Sequence, residues 1–444
     1  MKPSSWLVRP VQVWDRYWFF PESLQRLGVC RLLAFGLLIA DLVYFTNFAW
    51  VFHKKIDRIF WEPILLLRVL HRVFGLGPPS QQALELIFIV TLILAVGAFI
   101  GYRTRVCALG ASVLYMYLIA IDYSWHDKIQ HRHGIFVLLL LALSLSPCGG
   151  ALSVDALLKW MRGSAERRGF RRDAAPETSP YARWPLRLIG IILCLVYFFS
   201  GLTKLRIGGL AWMNGDTLAY WLLQDADIYS IQLPLIVARF PTLLKALSVF
   251  VVVMEITFPV ILFVPRLVWL YLPAGLGFHL GSHALMNTHF IWWWFTYMVF
   301  IDWDGLASWL KARFAIGSRP ASVGVIYDGA CPLCIRSMAA VAALDWLRRI
   351  GYLNLMDWTA ISDNYPGLDK KACIDEMHVI DTRTRKVYRG FFGFRRIAWE
   401  IPLLWALLPI LYLPGVSMSG GWIYGMVAGS RLRHEQECTW HTCR

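Results

Sequence analysis

Separate stretches of mostly apolar residues, joined by polar turns, constrain this chain more than any other feature. A bilayer's hydrocarbon core takes about 20 apolar helical residues, with roughly 17–25 tolerated. Inside it every backbone N–H and C=O must be satisfied internally, which a helix does by itself. The stretches run over 24–45, 83–101, 106–121, 134–147, 186–203, 244–264, 267–285 and 290–303. They predict an α-helical polytopic membrane bundle of about eight spans, of which the fourth and eighth are short. Composition agrees: 57% of residues are hydrophobic and 16% charged, against about 45–50% and about 25% in soluble domains. The 22 Trp residues suit the belts where hydrocarbon meets headgroup.

Charge bears on orientation. The net charge of +15 would also fit a nucleic-acid partner, but the chain shows no basic recognition helix, zinc knuckle or aromatic platform. The lipid bilayer is the expected partner, and nucleic acid is not. The densest basic loop, 159–187, is assigned to the cytoplasm by the positive-inside rule. Eight spans counted outward from it put both termini and the C-terminal part in the cytoplasm of a multi-pass cell-membrane protein. The apolar but Lys/Arg-broken segment 48–79 reads as an interfacial or re-entrant connection. The first 23 residues lack the short apolar core and small-residue cleavage site of a signal peptide.

After Trp303 the pattern changes. Residues 1–310 read as the transmembrane domain, 311–322 as a basic Gly/Ser/Pro-containing linker, and 323–444 as an α/β domain. Val323–Tyr327 is a β-branched run read as a buried strand. Asp328-Gly329 turns the chain into Cys331-Pro332-Leu333-Cys334, which opens a helix over 335–349. Further strands are expected at 352–356, 377–381 and 386–388. Strand, turn, Cys-x-x-Cys, helix, strand is a thioredoxin-like layout. A thiolate on Cys331 at a helix start faces unpaired N–H groups and the positive end of the dipole. Pro332 suits the first turn, where its missing donor would be orphaned anyway. Cys334, one turn later, can resolve a mixed disulfide. Two other readings stay open for the pair: two buried thiols without chemistry, or half a zinc site completed by Cys438, His441 and Cys443. The other Cys in apolar runs, Cys30, Cys107, Cys148 and Cys194, read as small core residues. The apolar segment 401–413 is read as part of the domain's core in preference to a docking element.

The run Tyr327-Asp328-Gly329-Ala330-Cys331-Pro332-Leu333-Cys334 resembles the signature of the DCC family of thiol–disulfide oxidoreductases, named for its Asp-x-x-Cys-x-x-Cys pattern. The resemblance extends through 387–390 and 411–415. It implies Asp328, Cys331 and Cys334 as site residues, with Cys331 attacking and Cys334 resolving. The substrate class it implies is a disulfide, of unknown identity. One departure from thioredoxins is that no Pro precedes the expected 377–381 strand, where a cis-Pro would face the dithiol. A cytoplasmic dithiol works in a reducing compartment, so reduction of a substrate is the expected direction.

Ionisable residues inside spans are expensive and are candidates for function. Arg31, Asp41, Glu255, Lys204, His126, His131, His133, His279, His283 and His289 qualify. Lys204 with His133, His283 and His289 is expected on the outer face, as an acid/base group. The alternative is a snorkelling lysine and histidines that only hydrogen-bond within the bundle. Gly201-Leu202-Thr203-Lys204-Leu205 followed by Trp212-Met213-Asn214-Gly215 is similar to the Gly-x-x-Lys-Leu…Trp-x-x-Gly pattern of the vitamin K-dependent γ-carboxylase-like (HTTM) membrane family. That resemblance spans roughly residues 15–310. It implies Lys204 as the base for a quinone or vitamin K-like lipid cofactor, and His133 as the active-site histidine. The large β-rich domain of the eukaryotic carboxylase is replaced here by the thioredoxin-like region, so glutamate carboxylation is not carried over.

Overall fold

The computed structural model describes residues 5–45, 61–75, 77, 79–124, 133–170 and 177–431. Its contacts divide the chain into two compact units. One is Met1–Ser153 with Pro176–Trp303, and the other is Val154–Ala175 with Asp304–Arg444.

In the first unit, five helices among the described residues are long and apolar enough to cross a membrane: Leu24–Tyr44, Gln81–Ile100, Thr104–Tyr123, Pro180–Asn214 and Pro241–Leu262. Their regular α-helical parts are α1 (Leu24–Ala40), α2 (Gln81–Ile100), α3 (Thr104–Tyr123), α6 (Arg183–Gly208) and α7 (Pro241–Thr257). Ser23 caps α1 by accepting from the Gln25 N–H at 3.2 Å, and Ser80 caps α2 through Ala83, also at 3.2 Å. Such side chains satisfy donors that have no partner within the helix.

The other three expected spans are less regular. α4 (Gly134–Ser144) has 11 residues, about 16 Å at 1.5 Å per residue, well short of a bilayer core. α8 (Val268–Met286) carries Pro273 inside it and His279 and His283 along it. The last stretch breaks into the six-residue helix Ile291–Thr296, a 3-10 turn Tyr297–Phe300 and extended backbone at Ile301. Of the 48–79 connection, Leu65–Phe74 is helical and ends on Gly75 in the left-handed region at φ 67°, where glycine carries no penalty. Residues 46–60 lie outside the described residues.

The first unit's main core gathers Phe35, Tyr115, Phe136 and Leu139, and a second cluster gathers Tyr197, Phe258, Trp293 and Tyr297. Arg31 is fully buried and donates to the Leu152 carbonyl, while Asp41 accepts from the Tyr115 hydroxyl at 2.6 Å. The two charges of the first span thus have separate partners, as buried charges require.

The second unit is built on a four-stranded mixed sheet. Its strands are β1 (Val323–Tyr327), β2 (Ile350–Asn354), β3 (His378–Asp381) and β4 (Val387–Arg389), in the order β2-β1-β3-β4. β1 pairs parallel with β2 and antiparallel with β3, and β3 pairs antiparallel with β4. Every β1 residue except Tyr327 is buried. Parallel neighbours need a crossover, and α9 (Pro332–Leu344) supplies it between β1 and β2. The core holds Val323, Val325, Met338, Ile350, Val379, Ile397 and Ile401. The strands fall within two residues of their expected positions, whereas α9 ends five residues before the expected helix, at Leu344. α10 (Gly390–Glu400) follows β4.

The segment read from sequence as a basic loop between spans brings a helix to this unit. α5 (Val154–Glu166) packs against α9. Phe170, just beyond it, sits edge-on to Tyr352 at 5.2 Å and against Tyr327 at 5.9 Å, with Trp160 edge-on at 6.0 Å.

Residues 401–413, read as core, are core only at their start. Ile401 is buried and Leu404 packs against it, but Leu403, Trp405, Ile410 and Leu413 are exposed. The segment instead begins a pair of apolar helical limbs, Pro402–Leu411 and Val416–Gly429, bent by 114°. The second limb is α11 (Val416–Gly429).

Candidate functional site

The dithiol lies where β1 hands over to α9. Asp328, 4% exposed, accepts from the Ala330 N–H through Oδ1 at 2.9 Å, and its carbonyl accepts from the Cys331 N–H at 3.3 Å. The Asp of the motif thus folds the turn that delivers the first cysteine. Gly329 is needed for space, since a Cβ there would meet the Asn354 Oδ1 at 2.2 Å. Cys331 is the N-cap of α9, and its Sγ accepts from the Cys334 N–H at 3.3 Å, with Pro332 in the first turn. That is the helix-start position expected from the spacing, with one backbone donor on the sulfur.

The two sulfurs differ in access. Both are free thiols, but Cys331 is fully buried, whereas Cys334 is partly exposed. Cys334 lines a cleft of about 100 Å³ together with Asp328, Leu333, Met377, Tyr424 and Arg431. Burial, reinforced by the adjacent Cys331, pushes the Cys334 thiol up to about 12 against the opposing pull of Arg431. Met377, the residue before β3, borders this cleft, and its N–H donates to the Tyr424 hydroxyl at 2.7 Å. Arg431 sits at the cleft and donates to the Ile374 carbonyl at 3.3 Å and to the Asp375 carbonyl. α11 and Arg431, which the motif gives no hint of, therefore flank the dithiol. Among the described residues no group of three or more His, Cys, Asp or Glu could hold a metal, and Cys438, His441 and Cys443 lie outside them.

The second site belongs to the first unit. Lys204, near the end of α6, donates to both oxygens of Glu255 on α7, at 2.8 and 2.7 Å. Its ammonium also lies 5.4 Å from the centre of the Trp212 ring. Both glycines of the motif have a geometric reason. A Cβ on Gly201 would meet the Glu255 Cβ at 3.0 Å and the Ile256 Cγ1 at 2.8 Å, so this glycine lets α6 approach α7 one turn below Lys204. Gly215 has φ 100° and backs onto the Lys245 N–H, a backbone state that glycine reaches without strain.

Nearby, the Tyr197 hydroxyl meets the His279 Nε2 at 2.7 Å and the Tyr297 hydroxyl. His133 is fully buried elsewhere. Its Nδ1 meets the Tyr123 hydroxyl at 2.6 Å, and its ring lies 4.1 Å from Trp292. Lys204 and His133, expected on one face, thus have different partners. His283 and His289 lie together, with ring centres 4.6 Å apart, and His126 and His131 fall outside the described residues. The residue types alone flagged Glu255 and His279. Their pairing with Lys204 and Tyr197 was invisible because it joins helices 51 and 82 residues apart in sequence.

Lys204 on its glycine-packed helix and the CPLC turn on its mixed sheet define a two-part protein, a helical membrane domain joined to a thiol–disulfide oxidoreductase-type domain. Comparison with known families agrees: residues 19–304 match the HTTM domain and residues 325–436 match the DCC1-like thiol-disulfide oxidoreductase. The first match covers more than half of the chain, which therefore belongs to the HTTM-domain family and carries a DCC1-like C-terminal domain. No curated protein and no solved structure matches it.

Proposed function

We propose that the protein is a membrane-integral thiol–disulfide oxidoreductase working through Cys331 and Cys334. The observation that carries this reading is the Cys331 sulfur at the start of α9, accepting the Cys334 N–H at 3.3 Å. The strand order β2-β1-β3-β4, with one parallel and two antiparallel pairings, supports a thioredoxin-like fold around it.

Cys331, as thiolate, attacks a substrate disulfide to form a mixed disulfide and release one substrate thiolate. Cys334 then gives up its proton and attacks the Cys331 sulfur. The second substrate thiol leaves, and a Cys331–Cys334 disulfide remains, so two electrons have passed to the substrate. Because Cys331 is buried and Cys334 borders the cleft, the first attack requires local opening beside α11 and Arg431.

The packing of α5 and Phe170 within the second unit ties the basic 159–187 loop to the dithiol domain. If that loop is cytoplasmic by its Lys/Arg content, so is the dithiol, and the direction is reduction. The test is trapping with Cys334→Ser, which should strand a mixed disulfide on Cys331. A variant that captures no thiol partner, while Cys331→Ser leaves disulfide turnover in membranes unchanged, would sink the redox role.

The membrane domain supplies a second site in this reading. Lys204, Glu255, Tyr197 and His279 bring charge and hydrogen-bonding groups into an apolar bundle, where such groups mark substrate sites by default. A quinone-like ring fits them, because the buried His279 Nδ1 has no hydrogen-bond partner among the described residues and lies among Phe278, Phe290 and Trp293. Such a ring would supply two-electron chemistry, and His279 and Lys204 would be the residues to hold it. For Lys204 to act as a base, Glu255 must first release the ammonium. Lys204→Ala and His133→Ala separate a working site from a passive anchor. A membrane domain serving only as anchor, or as a helper in export or peptide maturation, predicts no loss of any phenotype that Cys331→Ser abolishes.

A further inference from the structure

Among the described residues one pair of apolar helical segments, Pro402–Leu411 with Val416–Gly429, is bent at a short break. Together they are apolar enough to pass for a span, but they turn by 114° at a break around Pro414 and Gly415. Gly415 sits at φ 84°, the left-handed state that allows the turn. Pro402–Leu411, a 3-10 helix as far as Leu407, reaches about 18 Å, and Val416–Gly429 about 21 Å at the α-helical rise. Neither crosses a hydrocarbon core of about 30 Å. Their outward surface is nevertheless apolar and aromatic: Met418 is 82% exposed, Trp422 68% and Leu403 67%, with Trp405, Ile410 and Ile423 also exposed. An apolar surface of this kind marks an interaction site.

What lies next to this surface identifies what it meets. A cleft of about 690 Å³ opens at the bend and is lined by Arg349, Lys386, Arg389, Arg395 and Arg396, with Glu400 as the one carboxylate. Glu400 bonds Arg396, which also bonds Asp381. Arg395 ties the cleft to the apolar limbs, for its guanidinium stacks 3.9 Å from the centre of the Tyr412 ring and donates to the Ser417 hydroxyl at 3.0 Å. A basic cleft continuous with exposed Trp and aliphatic side chains is complementary to one surface, the headgroup and upper acyl layer of an anionic bilayer. The second unit is also joined to the first at three points, Ser153–Val154, Ala175–Pro176 and Trp303–Asp304. With the first unit in the bilayer, those links hold the second at a high effective concentration of lipid.

We propose that Pro402–Gly429 is a membrane-docking wedge, its two limbs buried in the interface and the Lys386–Arg395 cleft holding phospholipid phosphates.

The full chain, reconstituted in phosphatidylcholine vesicles with or without phosphatidylglycerol and a phospholipid bearing a diazirine in its acyl chain, tests this. Illumination and peptide mass mapping should place lipid adducts on the 402–429 peptides as well as on the spans. Lys386→Glu with Arg389→Glu, two exposed cations of the cleft, should lower the 402–429 adducts in the anionic vesicles by about fivefold or more, as expected for loss of surface-lipid attraction at each cation. The same pair should have little effect in phosphatidylcholine alone. Met418→Ser with Trp422→Ser, at exposed positions outside the cleft, should lower the adducts in both lipids, and adducts on the spans show that the chain is folded and inserted. Adducts confined to the spans, with the 402–429 peptides unlabelled in both lipids because protein covers them, would overturn the proposal.

Discussion

Phe170 meets Tyr352 edge-on at 5.2 Å, and through that contact a segment written between two membrane helices becomes part of the dithiol domain. Aromatic pairs of this geometry contribute about 0.5–1.5 kcal/mol beyond the area they bury. Phe170 touches three aromatic rings and is only partly buried, so Phe170→Ala should cost about 2 kcal/mol, below the ~3–5 typical of a fully buried ring. Limited proteolysis of the full chain in membranes checks it: cleavage within 304–431 should speed up while the first unit stays protected.

The Lys204–Glu255 pair makes an opposed set of predictions. Removing one partner strands a charge in an apolar setting, at a cost of up to ~3–5 kcal/mol when burial is complete. Lys204 keeps 23% side-chain exposure and Glu255 only 4%. Lys204→Met, which leaves the carboxylate stranded, should therefore lower thermal stability in detergent more than Glu255→Leu, whose stranded ammonium can still reach water. The double variant should recover most of the loss, because both charges are gone. If the double loses the sum of the two single losses, the pair has no energetic coupling.

Cys334 titrates far above neutrality. Burial and its neighbour Cys331 hold its thiol up to about 12, so the fraction present as thiolate rises about tenfold per pH unit through the physiological range and beyond. Alkylation of Cys334 in the reduced protein should follow that slope without a plateau until strongly alkaline pH. Arg431→Ala removes a cation that favours the Cys334 thiolate and also loosens the cleft. It should slow Cys334 alkylation at fixed pH while exposing Cys331 to the reagent, a divergence visible by peptide mass.

Asp381 is the acid-sensitive point of the sheet. Backbone N–H groups of Thr384 and Arg383 and the Arg396 guanidinium hold its carboxyl down at about 2. A depressed carboxyl contributes stability that is present above its unfolded value and lost as pH falls through the folded one. Acid loosening of the β3–β4 end should begin below about pH 4 and be complete near pH 2. Arg396→Met should leave that onset in place but raise the folded value, so the loss is smaller and is complete at higher pH, as amide exchange of residues 378–389 would report.

Much of this was readable in advance. The Asp-x-x-Cys-x-x-Cys turn depends on contacts within a few residues, and β1 announces itself by β-branched residues. Five spans are evident from length alone. The rest depends on contacts far apart in sequence. Nothing within 154–170 shows that Phe170 faces Tyr327 and Tyr352, because a basic amphipathic stretch between spans looks like any loop between spans. The shortness of α4 and the break after Thr296 reflect how a bundle packs rather than how apolar a stretch is. Residues 401–413 misled because apolarity identifies what avoids water without saying whether protein or lipid replaces it.

The split of the dithiol domain around the later spans has a consequence for synthesis. α5 leaves the ribosome well before the sheet it packs against. At about 5–20 residues per second, roughly ten to thirty seconds separate Glu166 from Cys331. During that interval α5 lacks α9, the helix it packs against, and α6 and α7, both long and apolar enough to cross a membrane, are made. The redox centre can close only after the last of those helices has been delivered on the correct side. A chain in which one of the helices between them failed to insert would leave α5 and the CPLC strand on opposite faces, so a working dithiol would itself certify that those helices had inserted.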